Sequence, residues 1–213
     1  TNHHAIGNAS SKTLFVGNGA TMNAGTTSIA PGTTAFVTIN GTFQTAVTVG
    51  FSGLGTAAIR NTNAPAITLG ANSIIEYNAA AAQTVTNRTD YANVTLTGGS
   101  KTIGTAAAQT VTLSKTLTIN TGATYLGSTN NPVLNIGGDF SNSGTFTQGT
   151  ALVTFNGTAA QTILGTSATT FTNNVTLNNA AGLSITTSPT INGTLTFTNG
   201  KITTGANKVI FGS

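Results

Sequence analysis

The residues of this chain that could act as acids or bases are few. Its carboxylates are Glu76, Asp90 and Asp139 alone. Glycoside hydrolysis needs a pair of carboxylates, and calcium-dependent lyase chemistry needs several acidic ligands close together. Asp90 and Asp139 lie far apart in the sequence, and Glu76 sits in an alternating strand-like segment. We therefore expect no enzymatic activity and no catalytic residues.

Metal-ligating residues are equally sparse. His3 and His4 are adjacent near the amino terminus, but the chain has no cysteine and almost no acid near them. A tight metal site needs several such ligands at defined spacings. We expect no metal site and no cofactor, and the absence of cysteine excludes disulfides.

The charged residues indicate neither a nucleic-acid partner nor a membrane span. Seven cations against three anions leave a net charge of +4, and charged residues make up only 5% of the chain. Nucleic-acid-binding proteins cluster their cations on one face, whereas these cations are scattered singly, so we interpret them as isolated solubilising charges. No apolar run approaches the roughly 20 residues of a membrane-spanning helix. The seven cations are Lys12, Arg60, Arg88, Lys101, Lys115, Lys201 and Lys208.

The elements that must position any site are short β-strands. Apolar residues recur with a period of two in runs such as Ala35–Ile39, Val94–Leu96 and Leu195–Phe197. Gly and Asn-Gly pairs separate these runs, as at Asn156-Gly157 and Asn192-Gly193. Alternation bounded by turn residues predicts strand–turn–strand throughout. An antiparallel β-sandwich and a parallel β-solenoid both fit this pattern.

An internal repeat favours the solenoid. The segment Ala-Ala-Gln-Thr-(Val/Ile) occurs three times, with its glutamine at Gln83, Gln109 and Gln161, and the second gap is twice the first. A coil of roughly 20–26 residues suits a parallel β-helix, in which each coil presents the same edge to the next. We predict a single-domain, right-handed parallel β-helix of about nine coils, with the antiparallel β-sandwich as the alternative.

The repeats also suggest an organisation along the chain. Residues 73–213 resemble a duplicated set of solenoid repeats, about 73–135 and 151–213, related by the offset that brings Gln83 onto Gln161. Tyr77 aligns with Phe155 at this offset, so we interpret both as core residues. Residues 1–72 show weaker repeats and are predicted to form amino-terminal coils or a capping or docking segment.

Residues 155–213 contain Gln161-Thr-Ile163-Leu-Gly165 and Gly193-Thr-Leu195-Thr-Phe197. These units resemble repeats in the large secreted, surface-attached β-helix proteins of bacteria, especially those of the Bacteroidetes type. The resemblance is clear for about residues 73–213. It implies a secreted, extracellular or cell-surface location and a structural or adhesive role. It supplies no catalytic residues.

The amino- and carboxyl-terminal segments suggest how such a protein would act. No polar cap follows the last predicted strand, and an uncapped solenoid end exposes strand edges and apolar core. We expect copies of the chain to cover these ends and to form a head-to-tail filament or sheath. The predicted subunit interface comprises Leu14, Phe15, Val16, Lys208, Val209, Ile210 and Phe211. The alternatives are an adhesin module that binds surface glycans or partner cells, and an ice-binding solenoid.

Overall fold

A computed structural model describes residues 3–6, 12–32, 34–53 and 55–212 of the chain. Its regular elements are all strands, and every strand pair in the described part is parallel. The predicted parallel β-solenoid of about nine turns is confirmed, and the antiparallel sandwich is excluded. None of the described segments is a helix that could cross a membrane.

The strands are short because a turn follows every few residues. In chain order they are β1 (His3–Ile6), β2 (Thr13–Val16), β3 (Thr21–Asn23), β4 (Ser28–Pro31), β5 (Phe36–Ile39), β6 (Thr42–Thr45), β7 (Ser52–Gly53), β8 (Ile59–Arg60), β9 (Ala66–Leu69), β10 (Ile74–Tyr77), β11 (Gln83–Val85), β12 (Asn93–Leu96), β13 (Ser100–Ile103), β14 (Thr110–Leu113), β15 (Leu117–Ile119), β16 (Thr124–Leu126), β17 (Val133–Ile136), β18 (Phe140–Asn142), β19 (Thr145–Thr147), β20 (Val153–Phe155), β21 (Gln161–Leu164), β22 (Thr170–Phe171), β23 (Val175–Asn178), β24 (Leu183–Ile185), β25 (Thr190–Ile191), β26 (Leu195–Asn199), β27 (Ile202–Thr203) and β28 (Ile210–Phe211).

These strands form a three-sided coil. Face 1 is one continuous sheet of nine strands in the order β3-β6-β10-β12-β15-β18-β21-β24-β27. Face 2 comprises the sheets β1-β4-β8-β7, β11-β13-β16-β19 and β22-β25-β28, and face 3 comprises β2-β5-β9 and β14-β17-β20-β23-β26. The chain visits the faces in the same cyclic order in each turn, so each strand stacks on its equivalent at roughly 4.8 Å.

Side chains alternate between the inner and outer faces of each strand, and the inward ones form a core along the axis of the solenoid. Most strands alternate between buried and less buried positions, since successive side chains point to opposite faces of a sheet. Tyr77 and Phe155 are both fully buried, as their alignment predicts. Near the middle of the solenoid the rings of Phe140 on face 1, Phe146 and Phe171 on face 2, and Phe155 on face 3 meet, with most centroids 5.0–6.4 Å apart.

The expectation that the glutamine repeat marks equivalent positions of successive coils is wrong. Gln83 lies on face 2, Gln109 lies immediately before β14 of face 3, and Gln161 lies on face 1. From Tyr77, three turns of the solenoid lead through Leu96 and Ile119 to Asn142. A shift from Tyr77 by the number of residues that separates Gln83 from Gln161 leads beyond Asn142 to Phe155. This shift is therefore longer than three turns, and it ends on a different face.

The repeated glutamine closes a corner loop. In all three copies its side-chain Oε1 accepts a hydrogen bond from the backbone N–H four residues earlier, at Ala79, Thr105 and Gly157. Gln83 and Gln161 begin strands of faces 2 and 1, and Gln109 directly precedes a strand of face 3, so each copy serves a different corner of the coil. The motif can recur at different corners because the bond is local and does not depend on the face that follows it.

Candidate functional site

The carboxyl-terminal end of the solenoid exposes side chains that belong to the core. On face 3 one inward column runs through Leu113, Ile136, Phe155, Leu177 and Phe197. The first four are at most 1% exposed, whereas Phe197 is 54% exposed because no coil among the described residues covers it.

Face 2 ends in the same way. Phe171, Ile191 and Phe211 form an inward column, and their exposed fractions are 0%, 3% and 66%. Leu195, Ile202 and Val209, in the same final coil, are partly buried and pack against the core. We call these five residues the carboxyl-terminal end surface: Leu195, Phe197, Ile202, Val209 and Phe211. The strands β26, β27 and β28 are each last in their sheets, so their outer edges are unpaired in the described structure.

The amino-terminal end offers matching strand edges. The strands β2 and β3 are the first of faces 3 and 1, and β1 is first in its face 2 sheet. The inward side chains Leu14 and Met22 pack against the core but are only partly buried. The two ends therefore present three edges each, in the same cyclic order and with the same strand direction.

The predicted interface residues do not all lie on these end surfaces. Phe15 points outward from a side face and is 60% exposed, whereas Val16 is buried. Ile210 pairs with the outward-facing Thr190 and also lies on a side face. Leu14 lies at the amino-terminal end, whereas Val209 and Phe211 lie at the carboxyl-terminal end with the exposed Lys208. The terminal strand covers only Ile210–Phe211.

Sequence reasoning missed Phe197, Leu195 and Ile202. They belong to strands β26 and β27, which precede the last strand along the chain but lie in the same final coil. Counting back one coil from residue 211 would have found them, because a solenoid end consists of one strand from every face.

The three carboxylates are each engaged in structural bonds. The Glu76 carboxylate accepts hydrogen bonds from Gln44 Nε2 at 2.9 Å and from Thr97 Oγ1 at 3.1 Å. Asp139 Oδ1 accepts a bond from the backbone N–H of Thr162, at 2.7 Å. Asp90 receives two bonds from the guanidinium of Arg88, at 2.8 and 2.6 Å. The described residues contain no group of three or more His, Cys, Asp or Glu that could hold a metal ion.

The interpretation of every cation as a solubilising surface charge is wrong for Lys101. Lys101 points into the core between Gln83 and Tyr125 and is fully buried. Its ammonium donates hydrogen bonds to the carbonyls of Ala79, at 2.6 Å, and Gly98. Burial lowers the pKa of Lys101 from 10.5 to about 8, because two neutral carbonyls replace its hydration shell only in part.

Lys101 should make the stability of the protein depend on pH. Its pKa is lower in the folded than in the unfolded chain, so unfolding takes up a proton between about pH 8 and pH 10.5. The free energy of unfolding should therefore rise with pH across this window, by between about 1 and 3 kcal/mol in total.

This prediction is checked by urea unfolding from pH 7 to pH 9.5, below the titration of the three tyrosines. The pKa values of Tyr77, Tyr91 and Tyr125 are raised by burial, and they would lower stability only at higher pH. The Lys101→Met variant should lose the rise, and Lys115→Met, at an exposed position, should retain it. A rise that survives in Lys101→Met would contradict the assignment.

Comparison of the chain with models of known protein families, with curated proteins and with solved structures gave no match.

Proposed function

We propose that this chain is a structural, non-enzymatic subunit of an extracellular bacterial filament or sheath, assembled head to tail through its solenoid ends. The observation that carries the proposal is the exposure of Phe197 and Phe211 at positions where the equivalent residues of earlier coils are buried. The resemblance to repeats of secreted bacterial surface proteins supports the location outside the cell.

The geometry of the two ends suits a contact between copies of the same chain. In a head-to-tail contact β27 of one copy would pair with β3 of the next, β26 with β2, and β28 with β1. All three pairs would continue the parallel sheets. Because the two surfaces in contact are different, the contact is heterologous and propagates along the axis.

The expected energies show that both packing and strand pairing are needed. Burying two phenylalanine side chains contributes about 3–6 kcal/mol. Association of two proteins costs about 4–15 kcal/mol in lost freedom of motion. The hydrogen bonds of three new strand pairs, each worth about 0.5–1.5 kcal/mol, would supply the difference.

Charge predicts how assembly responds to salt. The exposed Lys201 and Lys208 lie in the final coil, and the exposed Lys12 lies in the first described coil. The two ends therefore carry charge of the same sign. Repulsion between exposed charges is screened when the ionic strength rises, so added salt should lengthen the filaments.

The test is negative-stain electron microscopy together with sedimentation velocity over a range of protein concentrations. We expect filaments of uniform width, and their loss in Phe211→Asp and Phe197→Asp with circular dichroism unchanged. The matched control is Phe36→Asp, since Phe36 is 50% exposed but lies on a side face. Dispersed short rods from the unmodified chain at all concentrations would overturn the proposal, as would equal loss of filaments in Phe36→Asp.

A further inference from the structure

One coil of the solenoid is longer than the others. On face 1, Thr21 pairs with Thr42 and Ile74 pairs with Asn93, and later partners follow at similar steps along the chain. The step from Thr42 to its partner Ile74 is markedly longer. The additional chain carries β7 and β8 on face 2. In repeat proteins, insertions into one repeat commonly form the binding face.

The insertion and the following coil border a side cleft that is open to solvent. Its volume is about 370 Å³, which lies within the range of roughly 300–1,000 Å³ typical of small-ligand sites. We call this space the side cleft and define it by Ser52, Asn61, Pro65, Ile67, Asn87 and Arg88.

The residues that line the side cleft are mostly polar, and their one charged side chain, Arg88, is paired with Asp90. Ser52, Asn61 and Asn87 supply hydroxyl and amide groups, while Pro65 and Ile67 supply apolar surface. The guanidinium of Arg88 forms a two-bond ion pair with Asp90, so its charge is balanced, although N–H groups remain for other acceptors. A neutral set of donors and acceptors beside apolar carbons matches the hydroxyls and C–H groups of a sugar.

A hydrogen-bond acceptor in the wall of the cleft has no partner. Asn87 Oδ1 is buried and receives no hydrogen bond from any described residue. An unsatisfied buried acceptor costs about 1–3 kcal/mol. A ligand hydroxyl that donates to this oxygen as the side chain adjusts would recover that energy.

Buried hydrogen bonds fix the walls of the cleft. Thr86 Oγ1 bonds to both the N–H and the carbonyl of Ser52, at 3.1 and 3.2 Å. The hydroxyl of Tyr77 accepts a bond from Thr86 N–H and lies 2.6 Å from the hydroxyl of Tyr91, which donates to Thr86 O. Gly50, at a φ of 107°, allows this approach, because a Cβ there would lie 2.7 Å from Thr86 Oγ1.

We propose that the side cleft binds an uncharged carbohydrate of one or two sugar rings, either free or at the end of a glycan. The hydrogen bonds that hold the backbone of the walls at Ser52 and Thr86 reduce the entropy lost on binding, so weak individual hydrogen bonds suffice for recognition. Arrays of the site along a filament would add avidity. The inference itself does not depend on assembly, since the cleft lies wholly within one chain and away from both ends.

The test is nuclear magnetic resonance titration of the full chain with methyl glycosides of glucose, galactose, mannose and N-acetylglucosamine, and with cellobiose, lactose and chitobiose. At least one probe should bind with a dissociation constant on the order of 1 mM. Saturable shifts should occur at the side-chain amides of Asn61 and Asn87 and at the backbone of Ser52. A glycan array then distinguishes a free sugar from a glycan terminus.

Two variants of the exposed residue Asn61 test whether the sugar binds in the side cleft. Asn61→Ala should weaken binding about 5- to 10-fold by removing a hydrogen-bonding amide, and Asn61→Trp should abolish it by filling the space. The matched control, Asn72→Ala, alters an exposed asparagine outside the side cleft and should leave binding unchanged. The inference is overturned if no neutral sugar binds at millimolar concentration, if only charged sugars bind, or if the shifts lie outside the cleft.

Discussion

Replacement of Phe140 by alanine is expected to lower the free energy of unfolding by about 3–5 kcal/mol. The Phe140 ring is fully buried and contacts the rings of Phe146, Phe155 and Phe171 at centroid distances of 5.0, 6.4 and 5.9 Å. It therefore connects all three faces at one level. Backbone hydrogen bonds hold each face to the coils above and below, so the walls cannot collapse to fill the cavity.

The measurement is urea unfolding followed by circular dichroism, with native-state hydrogen exchange to locate the change. Amides of β15, β18 and β21 should lose most protection, since these strands flank Phe140 on face 1. Phe36→Ala, at a half-exposed position on a side face, is the matched control and should cost less than about 1 kcal/mol. A similar cost for both variants would contradict a core role for the Phe140 ring cluster.

Replacement of Gln161 by leucine is expected to destabilise the protein by about 2–4 kcal/mol, although it preserves the side-chain volume. Gln161 Nε2 donates to the carbonyls of Ile136, at 2.9 Å, and Gly138. Its Oε1 accepts bonds from Gly157 N–H and Asn179 Nδ2, both at 2.9 Å. One buried side chain thus connects its own corner loop to the coils on either side. Leucine would remove all four bonds, although the Ile136 carbonyl keeps its bond from Asn156 N–H and the Asn179 amide keeps its bond to the Ala159 carbonyl.

Gln109, at the same position in another copy of the motif, offers an internal comparison for the loss of stability expected in Gln161→Leu. Gln109 closes the corresponding loop at another corner but is partly exposed, so water can replace its bonds to Thr105 and Ala106. Gln109→Leu should therefore cost less than about 1 kcal/mol. Equal losses in the two variants, measured by urea unfolding at one pH, would show that burial does not set the cost.

The carboxyl-terminal end surface could be predicted from the sequence only in part. Period-two alternation identifies Phe211 and Phe197 as strand residues, but both look like ordinary core residues in the sequence. Their exposure depends on the absence of a covering coil at that level of the described solenoid. The same alternation could not separate Phe15 from Leu14, because inward and outward positions are distinguished only by the register with the next coil.

The side cleft was not predictable from the sequence. Ser52 and Asn87 are distant along the chain and belong to no repeated motif. They meet because the insertion after β6 folds onto the residues that follow β11. The burial of Lys101 has a related origin, since its place in β13 is an inward one between Gln83 and Tyr125.

By itself the sequence determined the class of the molecule. Short alternating runs with Gly and Asn at the turns specify a chain of short β-strands, because both are local signals. The recurring glutamine marks corner loops of the coil and not successive coils. Only the tertiary structure decided which face each strand occupies, since coils of unequal length move the repeated motif from face to face. Only the tertiary structure brings together the residues of the end surface and, separately, those of the side cleft. The residues of each meet through stacking between coils, which no local pattern records.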